Sequence, residues 1–286
     1  MSPPASTPDL ATLLTERRTV VVAGVFDALS AVLAQRAGFE ALFLSGAAVA
    51  LTQLARPDVG LVTLTETADL VTRICLRVDL PLLVDGDFGF GNAINVSRTV
   101  EVLERAGAGG IQLEDRVEAA APASLRQRPV VPATVMVDKL HAAVDARRSR
   151  HTVVSARTDA FFSHGLDDAL ERAEWYIEAG ADMVFVEGCV ADQDRRTVIQ
   201  RLSPRAPVLF NAGILPADKL PTCAELSSLG YAVILFPANA VSAAGAALEN
   251  AFRDLKGWSA GGGLSPVAFD DSTGISAGAF MARFPQ

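Results

Sequence analysis

The chain has 286 residues, 50% of them hydrophobic and 20% charged, with a formal net charge of -8. Such a composition can bury a large core, which excludes an intrinsically disordered protein, and an acidic chain with no long Lys/Arg run lacks the clustered cations that a nucleic-acid binder needs. No apolar run reaches the ~18 residues of a membrane span.

The opening residues, Met-Ser-Pro-Pro-Ala-Ser-Thr-Pro, have neither the basic start nor the apolar stretch of a secretory signal. Residues 1–9 are expected to be a flexible start. Cys75, Cys189 and Cys223 are odd in number, far apart and set in apolar sequence, as reduced thiols of a cytoplasmic protein would be. Although many domains hold ~100–200 residues, α/β barrels reach ~200–250 in one domain. A single domain over 1–286 is therefore expected, with a helical extension over about 238–286.

The first apolar run is 19–23. After it, one pattern recurs along the chain: a helical stretch ends at Gly, and an apolar run follows. Arg36-Ala37-Gly38 leads to 41–46, Arg105-Ala106-Gly107 to 111–115, Glu178-Ala179-Gly180 to 183–188, and Leu229-Gly230 to 232–237. Gly just past a helix, followed by a short apolar run, is how a βα repeat with buried parallel strands reads. Runs 82–85, 152–156 and 208–211 fill the gaps, giving eight candidate strands with amphipathic stretches between most of them. Eight βα units in one chain predict an α/β fold of the closed (β/α)8 TIM-barrel type. An open doubly wound sheet would call for G-x-G-x-x-G after the first strand, and that motif is missing there.

In such a barrel, polar residues at the C-terminal ends of the strands face the active site. Those ends read Ser45-Gly46-Ala47-Ala48, Asp85-Gly86-Asp87, Glu114-Asp115, Arg157-Thr158-Asp159, Glu187 and Asn211. Carboxylates this close repel one another and take up protons unless a cation sits among them. Oxygen ligands without His or Cys nearby favour Mg2+ or Mn2+ over zinc. A lone strand-end Asp would serve equally well as a helix cap, but capping alone accounts poorly for Asp85, Asp87 and Glu114 together. His141, His151 and His164 fall where none is an evident base, and Trp175 and Tyr176 lie in an inter-strand helix, where core packing is expected.

These segments resemble, in order, the motifs of the isocitrate lyase and phosphoenolpyruvate mutase superfamily. Val25-Phe26-Asp27-Ala28-Leu29-Ser30 is similar to its first-strand opening, and Leu44-Ser45-Gly46 to its carboxylate-binding turn. Val84 to Asn92 resembles its D-x-D-x-G-[YF]-G-[ND] metal motif, Ile111-Gln112-Leu113-Glu114-Asp115 its fourth-strand motif, and Ala156-Arg157-Thr158-Asp159-Ala160 its A-R-T-D-A. The resemblance implies Mg2+ on Asp85, with Asp87, Glu114 and Asp58 holding its waters. It implies a small carboxylate substrate held by the backbone of Ser45, Gly46 and Ala47 near Phe26, Asp27 and Asn211. Arg157 would offset charge on the substrate's 2-oxygen, so that Arg157, Asp58 and Glu114 serve the chemistry. It also implies a homotetramer that exchanges a C-terminal helix between subunits.

The chain departs from that superfamily after Glu114-Asp115. Where its lyases carry K-[KR]-C-G-H, this sequence has Ala120-Ala121-Pro122-Ala123-Ser124, and the Lys and Asn of the phosphonate branch are missing too. The same loop carries Arg126 and Arg128, which suit a clamp on a second substrate carboxylate. The expected function is a carbon–carbon lyase or decarboxylase that acts on a 2-oxo or 2-hydroxy dicarboxylate through a pyruvate-like enolate. The alternatives are carbon–phosphorus chemistry of the phosphonopyruvate type and a catalytically silent metabolite-binding barrel.

Overall fold

The computed structural model describes residues 8–16, 18–117 and 128–259. It divides into two compact units, Met1–Val241 and Ser242–Gln286. In the first unit, eight parallel strands close in sequence order: β1 (Val20–Val25), β2 (Ala41–Leu44), β3 (Leu82–Asp85), β4 (Gly110–Glu114), β5 (Val153–Thr158), β6 (Met183–Val186), β7 (Val208–Asn211) and β8 (Val233–Phe236). β8 pairs back onto β1, with Val22 opposite Leu235. The eight expected runs are these strands, within a few residues at each end.

Helices α2 (Ala28–Arg36), α3 (Gly46–Leu54), α4 (Leu64–Cys75), α5 (Ala93–Ala106), α6 (Ala133–Ala146), α7 (Ala160–His164), α8 (Leu166–Glu178), α9 (Asp192–Leu202) and α10 (Cys223–Leu229) connect the strands. Strand residues are buried almost throughout, on one side by helices and on the other by the barrel interior, which is why they read as continuous apolar runs. The recurring glycines close the helices: Gly107 and Gly230 are left-handed caps of α5 and α10, a conformation that a side chain would strain.

One short helix was not foreseen. Within the stretch expected to follow a frayed start, α1 (Leu10–Thr15) is capped by Asp9, which accepts from the Thr12 backbone N–H at 2.8 Å. Leu10 and Leu13 pack with Val20, Phe43, Val153, Met183 and Val233, and so close the barrel at the strand starts. Gly110 permits that closure, since a Cβ there would meet Leu10 Cδ2 at 2.8 Å.

The second unit consists, among the described residues, of the continuation of α11 (Asn239–Ser259). Leu248, Phe252, Leu255 and Trp258 stand exposed along it at helical spacing. No helix among the described residues is long and apolar enough to cross a membrane.

Candidate functional site

Strand register brings the site together. Asp85 is opposite Gln112 on β4, and Glu114 is opposite Arg157 on β5. Beyond β3 the chain makes a tight turn in which Asp87 and Phe90 take left-handed conformations, with φ of 47° and 57°. Such conformations are costly for residues with side chains and persist only where the surroundings fix them. Here the Lys139 Nζ donates to the Phe88 carbonyl at 2.7 Å, Thr99 Oγ1 donates to the Gly89 carbonyl at 3.0 Å, and the Glu114 backbone N–H donates to the Asp87 carbonyl at 2.8 Å. The turn aims both carboxylates at the start of α3. A Cβ on Gly46 would lie 3.2 Å from Asp85 Oδ2 and 3.3 Å from Asp87 Oδ1.

The electrostatics follow from that crowding. Burial, then the charge of Asp58, pushes the Asp85 carboxyl up to about 6. Asp87 is driven well above the usual carboxylate range by burial and by Asp85, Asp58 and Glu114. Burial carries Glu114 to about 8, although Arg157 and Arg116 oppose the shift. Arg157 Nη1 lies 3.3 Å from Glu114, and Arg116 Nε lies 2.8 Å from it. Even so, Glu114 Oε1 is buried without an aligned hydrogen-bond donor. Arg157 also donates twice to Asp159, at 3.0 Å each time. Burial works against the Arg157 cation, but Asp159, Glu114 and Glu187 outweigh it and hold the guanidinium firmly charged.

Among the described residues, no group of three or more His, Cys, Asp or Glu is arranged to hold a metal ion by itself. That is compatible with Mg2+, which usually takes one or two protein carboxylates and keeps several waters. Three carboxylates that resist ionising together offer the oxygen donors that a hard divalent cation takes. Asp85 is half-buried, whereas Asp87 and Glu114 are buried.

The other expected residues fall around this cluster. Ser45 caps α3 by accepting from the Ala48 N–H, and the Gly46 N–H donates to Asp85 Oδ2 at 3.2 Å, so in this arrangement that N–H faces the carboxylate. Ala47 follows in the first turn of α3. Asp27 caps α2, accepting from the Ser30 N–H at 2.7 Å, and the Phe26 N–H donates to Ser30 Oγ at 3.1 Å. Asn211 donates to Glu187 at 3.2 Å. Arg128 donates to Asp159 at 2.7 Å, lies 3.6 Å from Glu187 and stacks over the Phe162 ring. Arg126 lies outside the described residues.

Sequence reasoning passed over Gln112 and Ser155, opposite each other in register and both buried. They lie two residues before Glu114 and Arg157, so strand alternation puts them on the same inward face. Gln112 Oε1 and Ser155 Oγ lack a hydrogen-bond partner. The thiol of Cys189 is pushed up to about 12, first by burial and then by Asp194 and Glu187, so it stays protonated. His151 is exposed and pairs with Asp9 at 2.7 Å, far along the chain from the cluster.

A cavity of about 550 Å3, lined by Leu14, Arg18, Arg205 and Tyr231 among others, lies at the opposite, strand-start end. Residues at the strand-start end of such a barrel mainly serve stability, so the carboxylate cluster at the strand ends is the better candidate for chemistry.

A family model described as phosphoenolpyruvate phosphomutase matches residues 10–256. The chain is 42% identical over 243 residues to a 2-methylisocitrate lyase of Aeropyrum pernix, covering 85% of this chain and 77% of that one. Among solved structures, an oxaloacetate acetylhydrolase with its product oxalate aligns with a TM-score of 0.84 at 28% identity, over 97% of this chain and 96% of that one. A phosphonopyruvate hydrolase in complex with oxalate and Mg2+ aligns with a TM-score of 0.81 at 26% identity, over 96% of this chain and 92% of that one.

Proposed function

This chain belongs to the phosphoenolpyruvate phosphomutase family, within the isocitrate lyase and phosphoenolpyruvate mutase superfamily, and we propose that it is a Mg2+-dependent carbon–carbon lyase or decarboxylase acting on a small 2-oxo or 2-hydroxy dicarboxylate. The carrying observation is the convergence of Asp85, Asp87 and Glu114 with Arg157 at the strand ends. The lyase and acetylhydrolase among its relatives support the class of chemistry.

Asp85 would hold the cation directly, with Asp87, Glu114 and Asp58 orienting its waters. When bound, Mg2+ supplies a Lewis acid for the substrate's carboxylate and 2-oxygen. Arg157, kept cationic by Asp159 and Glu114, faces the 2-oxygen and offsets the negative charge that grows there as the bond breaks and a pyruvate-like enolate forms. A preorganised donor of this type is worth ~2.7–4 kcal/mol. The backbone N–H groups of Gly46 and Ala47, at the start of α3, favour an anionic group by position and by helix dipole, whereas the Ser45 N–H expected to join them donates to the Val25 carbonyl at 3.3 Å. Phe26, Asp27 and Asn211 border the same end of the barrel.

Arg128, together with Arg126, would take the second carboxylate. The exposed part of Arg128 and its pairing with Asp159 put a cation beside Arg157 for this purpose. With Ala120 to Ser124 in place of the acid-bearing motif, decarboxylation is the favoured variant, because departing CO2 needs no general acid. The carbon–phosphorus reading has the phosphonopyruvate hydrolase likeness behind it but lacks the loop Lys and Asn. Unpaired cysteines suit a cytoplasmic protein, and the exposed ridge Leu248, Phe252, Leu255 and Trp258 suits a homotetramer.

The test is a panel of 2-oxo and 2-hydroxy dicarboxylates with Mg2+, monitored for pyruvate or another 2-oxo acid product. Turnover of at least one, with monocarboxylates much poorer, is expected. Turnover confined to a phosphonate, or none on any member, would contradict the reading.

A further inference from the structure

Asp115 lies beside the site and has no part in the chemistry above. It is fully buried, and its contacts concentrate on one short segment. Its backbone N–H donates to the Arg157 carbonyl at 3.2 Å, its Oδ2 accepts from Thr158 Oγ1 at 2.7 Å, and its Oδ1 accepts from the Asp159 N–H at 2.9 Å. Three successive residues at and just past the end of β5 are thus tied to Asp115: Thr158 and Asp159 through its carboxylate, and Arg157 through its backbone N–H. Asp159 in turn holds both nitrogens of Arg157 that face it, and also Arg128.

What fixes the Asp115 carboxylate comes from α8, on the outside of the barrel. Tyr176 Oη donates to Asp115 Oδ2 at 2.7 Å, and Arg172 Nη1 approaches the same oxygen at 3.4 Å. Arg172 also donates to the Val131 carbonyl at 2.8 Å, while the Val131 N–H donates to the Asp115 carbonyl at 2.8 Å, so α8 grips Asp115 and the chain that returns at Val131 together. Burial raises the Asp115 carboxyl, and the hydrogen bonds from the Asp159 N–H, Tyr176 and Thr158 oppose that shift.

We propose that Tyr176 is a positioning residue for Arg157, acting through Asp115 and the Thr158–Asp159 segment. The proposal rests on the lyase reading for its consequence in turnover, but its geometry does not. The physical reason is leverage: a carboxylate with one less donor can rotate, Thr158 and Asp159 follow it, and a guanidinium displaced by ~1 Å can cost 10²-fold in rate. Arg172 completes the grip from the next turn of α8, so loss of the Tyr176 hydroxyl should loosen the carboxylate rather than free it.

The experiment compares the wild-type chain with Tyr176→Phe, Thr158→Val and Thr158→Ser. Turnover is measured on the best substrate from the panel. Calorimetry measures Mg2+ alone, then oxalate in the presence of Mg2+, as a planar dianion that resembles the enolate. Tyr176→Phe and Thr158→Val should each lower kcat about tenfold and weaken oxalate by a similar factor, as expected for one lost bond to a buried charge. Thr158→Ser, which keeps the hydroxyl, should stay near wild type. KM and the affinity for Mg2+ alone should move less than about twofold, because Asp85 and Asp87 are not in the chain of contacts.

Unchanged kcat and oxalate affinity in Tyr176→Phe would overturn the proposal, and so would a parallel loss of Mg2+ affinity and thermal stability, which marks general softening. A wild type that binds oxalate but turns over nothing on the panel counts against the lyase reading alone. Should wild type bind no oxalate, a crystal structure of Tyr176→Phe decides: Arg157 shifted from Glu114 supports the proposal, and Arg157 in place overturns it.

Discussion

The same eight strands form both ends of the barrel, with opposite chemistry. At the strand starts, Leu10, Leu13, Val20, Val153, Met183 and Val233 meet as close-packed apolar side chains in relaxed elements. At the strand ends, Asp85, Asp87, Glu114, Arg157 and Asp159 crowd together, two residues take left-handed conformations, and Glu114 keeps an oxygen without an aligned donor. One end is apolar packing, whereas the other buries like charges beside one another. Unfavourable features of this kind cluster where function requires them and are offset elsewhere in the fold.

Substitutions at either end should therefore separate activity from stability. The largest effect is expected from Asp85→Ala, which should abolish tight Mg2+ binding and lower kcat/KM by ~10³-fold or more. Its melting temperature without metal should be equal to or above wild type, since one member of a repelling group is gone. A marked fall in that temperature would show that the cluster helps to hold the barrel together.

At the closed end, Leu13→Ala should cost ~2–5 kcal/mol in denaturant unfolding through the cavity it leaves. Turnover per folded molecule should stay within about twofold. A selective loss of turnover instead would couple the two ends and break the comparison.

The pH dependence sharpens it further. Asp85 and Glu114 sit raised, at about 6 and about 8, so metal-free native protein binds protons that the unfolded chain releases. Their contribution to stability is present below the ordinary carboxylate range and is lost as pH rises through those two values. The difference in melting temperature between Mg2+-saturated and metal-free protein should accordingly widen from about pH 5 to about pH 9, because cation and proton compete for the same oxygens. A difference that does not vary with pH would place the cation elsewhere.

The smallest effect is predicted for Ser155→Ala. A buried hydroxyl without a partner contributes little, so its removal should change stability by less than about 1 kcal/mol, in either direction. A larger loss would reveal a hydrogen bond at that position.

Strand positions were readable because buried parallel strands are continuous apolar runs marked off by Gly, and 82–85 and 208–211 match β3 and β7 to the residue. Run 41–46 was too long because Ser45 and Gly46 leave the strand to start α3, a turn that apolar character alone does not reveal. The carboxylates of the site were legible as strand-end residues. Their partners were less so: of the two aromatics expected in the core, Trp175 is exposed and Tyr176 is buried, and the Tyr176 hydroxyl bonds a residue 61 positions away, which no local period encodes. Gln112 could have been found, since it alternates with Glu114 along β4. Asp27 shows the reverse case, a motif residue whose side chain is engaged in capping α2.

The most direct test of the account is a titration of Mg2+ into verified metal-free protein near pH 8, with turnover on the best panel substrate followed in the same samples. No turnover is expected without metal, with restoration by Mg2+ or Mn2+ in step with binding at a single site, and neither binding nor restoration in Asp85→Ala. Full turnover by the metal-free protein, or tight Mg2+ binding that survives Asp85→Ala, would contradict it.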